Sequence, residues 1–476
     1  MSLLSGRSGV LMGAAAGFVL ALAIFAGVWT IQGRVGGGAS DSTTAEVCDG
    51  ELPAFPGAEG FGCSTPGGRG GRVLVVTTLN DDGPGSLRSA LEASGPRFVV
   101  FEVSGTIDVR EQIVIDDPYL TVAGQTAPGG GITLRAAAGN TNGLVDISAH
   151  DVVLRFLRFR TGAQPGVSGE DLDGINIWRE TGHHVIIDHN SFSWAVDENV
   201  STWDDAHTIT FSWNIIAQGL RESTHPDGEH SKGLLVSGDA TGDISVHHNL
   251  FIHNTARNPQ VSSPGRVQIV NNVIFNYGDS ALQTSNPYGA PQVDIVGNYF
   301  QVGPDSDPDR YEIDAYPIED AESWSLHVEG NVGPHGTSDD SQTDLVSPED
   351  RSLLVDDAPE GLTAITTTSA SQALEDVLSG AGVRLPYLDP VDEQMIDDVR
   401  DERGGMINDE SEVGGWPTLP SAEPPADADS DGMPDSWEAE HRLDPKTDDS
   451  ADDADGNGYT NIEEYVNHLV GQLASN

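Results

Sequence analysis

The chain has 476 residues, enough for two or three domains around a sizeable core. It carries 75 acidic against 23 basic residues, a formal net charge of -52, and its only Lys residues are Lys232 and Lys446. Such a surface repels phosphates and excludes a nucleic-acid partner; it suits either a protein kept soluble in concentrated salt or an ordinary acidic exported one.

In chain order, the first signal is an apolar stretch from Val10 to Ile31 behind Arg7. It reads as a secretory h-region, long for its kind, with Gly37-Gly38-Ala39-Ser40 as small residues for cleavage. At about 20 residues it also suits a membrane anchor. Residues 1–40 are therefore expected to be a signal peptide or an anchor, and the protein to be secreted or held at the outer surface. Residues 41–52 read as a polar linker. Cys48 and Cys63 lie close together, and either pair across the first coil or stay free.

From Pro53 the chain becomes Gly-rich and then strand-like, at Val73 to Leu79, Phe98 to Val103 and Ile113 to Ile115. The helical spacing of Gly85 to Ala93 predicts a short helix that caps an open end of the fold. Then a pattern recurs: apolar, any, apolar, any, any, Asn. It is centred on Asn190, Asn214, Asn249, Asn272, Asn298 and Asn331, with pairs such as Val185/Ile187, Ile209/Phe211 and Ile244/Val246 before the Asn. Gln125 and Leu157 occupy the Asn place in two earlier copies, and the successive steps are 32, 33, 24, 35, 23, 26 and 33 residues. Alternation marks each copy as a short strand with one face inward. A single coil cannot bury its apolar face, whereas stacked coils make a continuous core. Unequal steps with a recurrent Asn favour an all-β, right-handed parallel β-helix over a sandwich or a propeller. Each Asn is expected to take a left-handed turn conformation and bond backbone or the next Asn.

Candidate chemistry lies on four neighbouring coils. Asp171 and Asp173 sit one residue apart before the strand Ile175-Asn176-Ile177, so they can share a cation. Asp197 and Glu198 follow one coil later. Equivalent places on adjacent coils lie about 4.8 Å apart, so these acids can converge; the alternative is a solvated acidic loop. Lys232, the single Lys of the repeat region, and Arg257 in Thr255-Ala256-Arg257-Asn258-Pro259 can lie on the same face. A cation site beside Lys and Arg suits an anionic substrate, and structural ion pairs are the alternative. Ten His between His150 and His253 suggest zinc, but none has the His-Glu-x-x-His spacing.

The segments Phe55-Pro56-Gly57-Ala58-Glu59-Gly60-Phe61-Gly62, Val185 to Ser193, His247-His248-Asn249-Leu250 and Ala256-Arg257-Asn258-Pro259 together resemble the pectate lyase family of β-helical polysaccharide lyases, family 1. The resemblance covers roughly residues 53–335. It implies calcium-dependent β-elimination of polygalacturonate (pectate) to 4,5-unsaturated oligogalacturonides. Asp171 and Asp173 match the family's paired calcium Asp residues, and Asp197 falls at its third acid. Ser201 stands at the fourth acid, so Glu198 or water is expected to fill that place. Arg257 matches the catalytic Arg of the Arg-x-Pro motif, and Lys232 the substrate-binding Lys. A second family Arg is Ser262 here, with Arg266 expected to compensate in substrate binding. The resemblance gives Arg257 the role of base. An Arg ordinarily stays protonated, so an alkaline optimum is expected. The alternatives are a lyase for another uronan or for pectin, and a non-catalytic glycan-binding surface β-helix.

Residues 336–420 read as an acidic extension with one short helix over Ala370 to Ser379, wrapping the outside of the coils. A Pro-rich linker, Leu419 to Pro425, introduces residues 421–476. There Asp427-x-Asp429-x-Asp431-Gly432-x5-Glu438 matches the EF-hand loop formula, and Asp453-x-Asp455-x-Asn457-Gly458-x5-Glu464 matches it again. Asp435 and Asn461 take the intermediate ligand places. Trp437, Ile462 and Tyr465 are expected to pack the loops together. The pair resembles dockerin-like and thrombospondin-type-3 calcium modules, which implies bound Ca2+ and a structural or docking role, with a protein partner. The chain is expected to be a monomer.

Overall fold

The computed structural model describes residues 47–164, 166–239, 242–318, 324–337 and 339–473. The apolar stretch at residues 10–31 and its cleavage region lie outside them. Among the described residues no helix is long and apolar enough to cross a membrane. The described residues form three parallel sheets of eleven, eight and eight strands, and each inner strand pairs with the strand one coil earlier and one coil later. One coil reads His183–Asp188 in the long sheet, Ser191–Ser193 in the second and Glu198–Trp203 in the third. The next reads His207–Ser212, Ile215–Ala217 and Lys232–Val236. Register holds from coil to coil: Val185 pairs with Ile209, Ser191 with Ile215 and Val200 with Leu234.

The expected apolar pairs point inward. Val185, Ile187, Ile209, Phe211, Ile244 and Val246 are all buried in one continuous core. The recurrent Asn residues form a buried ladder. The backbone N–H groups of Asn190, Asn214, Asn249 and Asn272 each donate to the side-chain oxygen of the next Asn at 2.9 Å. Asn298 does so to Asn331 at 2.8 Å, and Gln342 ends the series by accepting from Asn331 N–H at 2.9 Å. Their amides donate to carbonyls of the preceding coil, such as Asn249 Nδ2 to Phe211 O.

One expectation is corrected. The ladder Asn residues are not the left-handed ones; the residue before each is. His189, Trp213, His248 and Asn271 have φ between 52° and 55°, and Gly297 and Gly330 precede Asn298 and Asn331 at 65° and 66°. The preceding residue turns the chain from the long sheet to the second, which leaves the Asn side chain aimed inward to bond. Phe156 does the same before Leu157, whose N–H donates to Asn190 Oδ1 at 2.9 Å.

Helix α1 (Leu87–Leu91), capped by Ser86, buries Leu87, Ala90 and Leu91 in the core at its first coils. Cys48 and Cys63 form a disulfide. The extension contains the expected helix, α2 (Ala370–Gly380), and a second one the sequence reading left out, α3 (Pro390–Arg400). It does more than wrap the outside. Asp389 and Asp392 of this segment enter a fully buried ion cluster with Arg158 and Arg160 of the second sheet; Arg160 Nη2 donates to Asp389 Oδ1 at 2.9 Å and to Asp392 Oδ1 at 2.8 Å. Removing one partner of such a cluster leaves an uncompensated buried charge.

The C-terminal segment holds α4 (Asp435–His441) and α5 (Asn461–Leu473). Trp437, Ile462 and Tyr465 pack together as expected, and with Met433 and Val466 they also cover Phe98, Val100 and Ala123 on the outside of the long sheet. Residues 45–476 form a single compact unit, so this segment is an integral part of the body of the molecule.

Candidate active site

Register stacks the acids and cations on consecutive coils of the third sheet. Asn176 pairs with Ser201, Glu198 pairs with Lys232, and Lys232 bridges to Ala256. Asp173, Glu198, Lys232 and Arg257 therefore come from four successive coils onto one face.

Arg257 owes its place to an irregularity in the ladder. Lys232 is opposite Ala256, yet Leu235 is opposite Gln260, so the later strand holds one extra residue over that interval. Arg257 itself has φ of 62°, uncommon for an Arg, and its N–H donates to Gln283 Oε1 at 3.0 Å. A bulge of this kind re-aims a side chain; here the guanidinium turns back to an ion pair with Glu198.

Ligand oxygens of Asp173, Asp197 and Glu198 lie within 4.8 Å of one another. Asp173 and Glu198 are buried. Asp173 accepts from Glu198 N–H at 2.9 Å and from Ser201 Oγ at 3.4 Å. Burial, and then the charges of Asp197 and Asp171, push the Asp173 carboxyl well above the usual carboxylate range. Burial lowers Arg257 from its ordinary value, opposed by Asp197 and Asp173. Burial likewise lowers Lys232, opposed by Asp279, Glu229 and Asp197. The site holds more negative than positive charge, arranged as hard oxygen donors, which suits a divalent cation of the calcium type.

The expected residues divide as follows. Asp173, Asp197, Glu198, Lys232 and Arg257 come together. Asp171 is exposed at the rim and acts on Asp173 through its charge. Glu198, and not Ser201, supplies the acid beside Asp173; Ser201 lies beneath, fully buried, and donates to Asp173 and to Asn176 Oδ1. Arg266 is not at this site. It belongs to a strand of the long sheet, Gly265–Val270, where it pairs with Asp243 and lies over the Phe61 ring. A period-two pattern cannot say which sheet an Arg nine residues beyond Arg257 will join, because the turn between the third and long sheets falls in that interval.

Two residues escaped the sequence reading. His230 Nε2 lies 2.7 Å and His225 Nε2 3.7 Å from Asp197 Oδ1, and the two rings stack at 3.8 Å between centroids. Burial, and then His230, lower the His225 ring below its ordinary value. They hold Asp197 at its Oδ1. The interval between Ala217 and Lys232 is a long insertion between consecutive strands, and the two His within it were the available signal.

Over 88% of its length the chain is 38% identical to the probable pectate lyase C of Aspergillus flavus, covering 94% of that protein. The figures are the same for the probable pectate lyase C of Aspergillus oryzae. The chain belongs to the pectate lyase family. The matched span exceeds the repeat region, so the likeness takes in the C-terminal extension as well. A probable pectate lyase of Arabidopsis thaliana is 26% identical over 49% of the chain and 58% of its own length. No protein-family model matches. Among solved structures the fold is similar to that of Jun a 1, the major allergen from cedar pollen, with a TM-score of 0.51 and 19% identity over 68% of this chain and 92% of that one. It is also similar to a pectate lyase bound to a hexasaccharide, with a TM-score of 0.50 and 14% identity over 70% and 98%.

Proposed function

We propose that this chain is a calcium-dependent lyase that cleaves polygalacturonate by β-elimination, with Asp173, Asp197 and Glu198 as calcium ligands, Asp171 as a rim ligand, and Lys232 and Arg257 as the substrate-facing cations. The observation that carries this reading is the convergence of three carboxylates and two cations from successive coils in a member of the pectate lyase family. The C5 proton of galacturonate lies beside a carboxylate, and its removal leaves enolate-like charge. Calcium, when bound, neutralises the substrate carboxylate and that developing charge. Lys232 holds the substrate anion against the third sheet. Arg257 accepts the C5 proton in its deprotonated form, which burial favours by lowering it and alkaline pH populates. The C5–H electrons form the C4–C5 double bond, the C4–O4 bond breaks, and the departing O4 takes a proton from water. Ser201 and the two His keep Asp173 and Asp197 in place.

Metal-stripped protein assayed on polygalacturonate by ultraviolet absorbance of the unsaturated product tests this. Activity should vanish in EDTA and return with added calcium; full activity in EDTA would overturn it.

The same proposal gives the C-terminal loops, Asp427 to Glu438 and Asp453 to Glu464, a calcium-binding character like that of dockerin-like and thrombospondin-type-3 modules. It also places the protein outside the cell as a monomer. The apolar stretch at residues 10–31 and the Cys48–Cys63 disulfide support export.

A further inference from the structure

The two C-terminal loops share a sequence formula but differ in how their acids are buried and paired. In the first, ligand oxygens of Asp427, Asp429 and Asp431 lie within 4.8 Å of one another, and so do those of Asp431, Glu438 and Asp449. Asp431 belongs to both groups, so it joins five carboxylates into one cluster. Asp449 was not expected from the loop formula; it comes from the segment before the second loop. Asp431 is 1% and Glu438 0% exposed. Both carboxylate oxygens of Glu438, both of Asp429 and Oδ2 of Asp431 are buried without a hydrogen-bond partner. Among the described residues none of these three acids has an ion-pair partner. Burying so much like charge without compensation is costly, and hard oxygen donors of this number fit a calcium ion.

The second loop has used its groups internally. Asp453 accepts from Gly456 and Gly458 N–H at 2.7 and 2.9 Å. Asn457 Nδ2 donates to Glu464 Oε1 at 2.8 Å and to Asp455 Oδ2 at 3.1 Å. Asn461 Oδ1 accepts from Ala454 N–H, as Asp435 Oδ1 accepts from Ala428 N–H in the first loop. Asp453, Asp455 and Asn457 are exposed.

The first loop lies directly against the β-helix. A Cβ on Gly432 would lie 2.9 Å from Val73 and 3.0 Å from Val100, so the loop rests directly on the first strands of the long sheet. Met433, the next residue, is fully buried among Phe98, Val100 and Ala123. Arg69 fastens the other side. It pairs with Glu463 of α5 at 2.9 Å and donates to Pro53 O at 2.8 Å. The residues that would ring the ion and those that dock the segment are thus neighbours in one rigid turn.

We propose that Asp427, Asp429, Asp431, Glu438 and Asp449 bind one calcium ion, and that this ion locks the C-terminal helices onto the first coils of the β-helix. The lock goes beyond the calcium-binding character given to both loops above and rests on it for the first loop alone. Emptying the site frees mutual repulsion in the turn that carries Gly432 and Met433, and the segment lifts. Its role is to hold the fold, distinct from the calcium used at Asp173.

The test uses the full chain and compares wild type with Glu438→Gln and Asp173→Asn, melted in EDTA and in saturating calcium. Calcium at several hundred times its dissociation constant should raise the wild-type Tm by about 5 °C. Asp173→Asn should keep most of that rise while losing lyase activity. Glu438→Gln should keep calcium-dependent activity below its Tm, lose the part of the rise that Asp173→Asn keeps, and melt in EDTA no lower than wild type, because the amide relieves repulsion. An unchanged rise in Glu438→Gln overturns the lock, as does loss of the whole rise in Asp173→Asn. Terbium luminescence sensitised by Trp437, beside Glu438, provides a readout on wild type alone. Emission that saturates at one ion and disappears in Trp437→Phe supports the site, and no emission overturns it. Asp173→Asn with full activity would sink the lyase assignment and leave the lock standing.

Discussion

Replacing Asn249 by Ala removes the centre of the Asn ladder. The Asn249 side-chain oxygen accepts from Asn214 N–H and Asn214 Nδ2, both at 2.9 Å. Its amide donates to Phe211 O, His247 O and Asn272 Oδ1 at 2.9, 3.0 and 2.9 Å. Asn249 is 0% exposed, so water cannot replace these partners. An orphaned buried N–H costs about 1–3 kcal/mol, and the remaining bonds and the vacated volume bring the loss to about 3–5 kcal/mol. For a cooperative unit of this size that is a fall in Tm of about 3–6 °C. The assay is thermal melting in saturating calcium, with Asn142→Ala, an exposed Asn on another coil, as the control expected within about 1 °C of wild type. If Asn249→Ala melts within about 1 °C of wild type, the ladder is not the stabilising element argued here.

Four further outcomes are expected. Arg257→Lys keeps a charge but not the reach or the lowered guanidinium; kcat should fall by about 10²–10⁴, read as product absorbance with calcium saturating. His230→Ala removes the 2.7 Å partner of Asp197, and calcium affinity measured by activation of the lyase should fall by about 10- to 100-fold. Arg266→Ala should leave kcat and KM on polygalacturonate within about twofold, because Arg266 pairs with Asp243 on another sheet. Burial lowers His247 to about 3 and His248 to about 4. The unfolded chain protonates these rings near pH 6.5 and the native one does not, so stability is full above about 6.5 and falls as pH drops toward 4. The slope of Tm against pH should flatten in His248→Phe, which keeps the stacking on Trp213 at 4.5 Å between centroids.

The scaffold was legible in the chain because its determinants are local and repeated: an alternating pair and an Asn at each bend. The site was legible wherever position within a coil is enough, as for Asp173, Glu198 and Lys232. What the pattern could not supply depends on contacts across long intervals or on backbone conformation. Asp389 and Asp392 meet Arg158 and Arg160 from about 230 residues away, and no periodicity marks that pairing. The extra residue between Ala256 and Gln260 is visible only once the register is known. The two matching calcium formulas part company because Asp449 adds a carboxylate to the buried Asp431 and Glu438 of the first loop, which rests on Val73 and Val100, whereas Asp453 and Asp455 of the second are exposed.

The central claim is that Asp173, Asp197 and Glu198 hold the calcium that makes β-elimination possible beside Lys232 and Arg257. The most direct measurement is the initial rate of unsaturated-product formation from polygalacturonate against free calcium, for wild type and for Asp173→Asn. No activity without calcium, a saturable rise in wild type, and a loss of at least about 100-fold in Asp173→Asn are expected. Equal rates for the two proteins across the titration, or a wild-type rate indifferent to calcium, would contradict it.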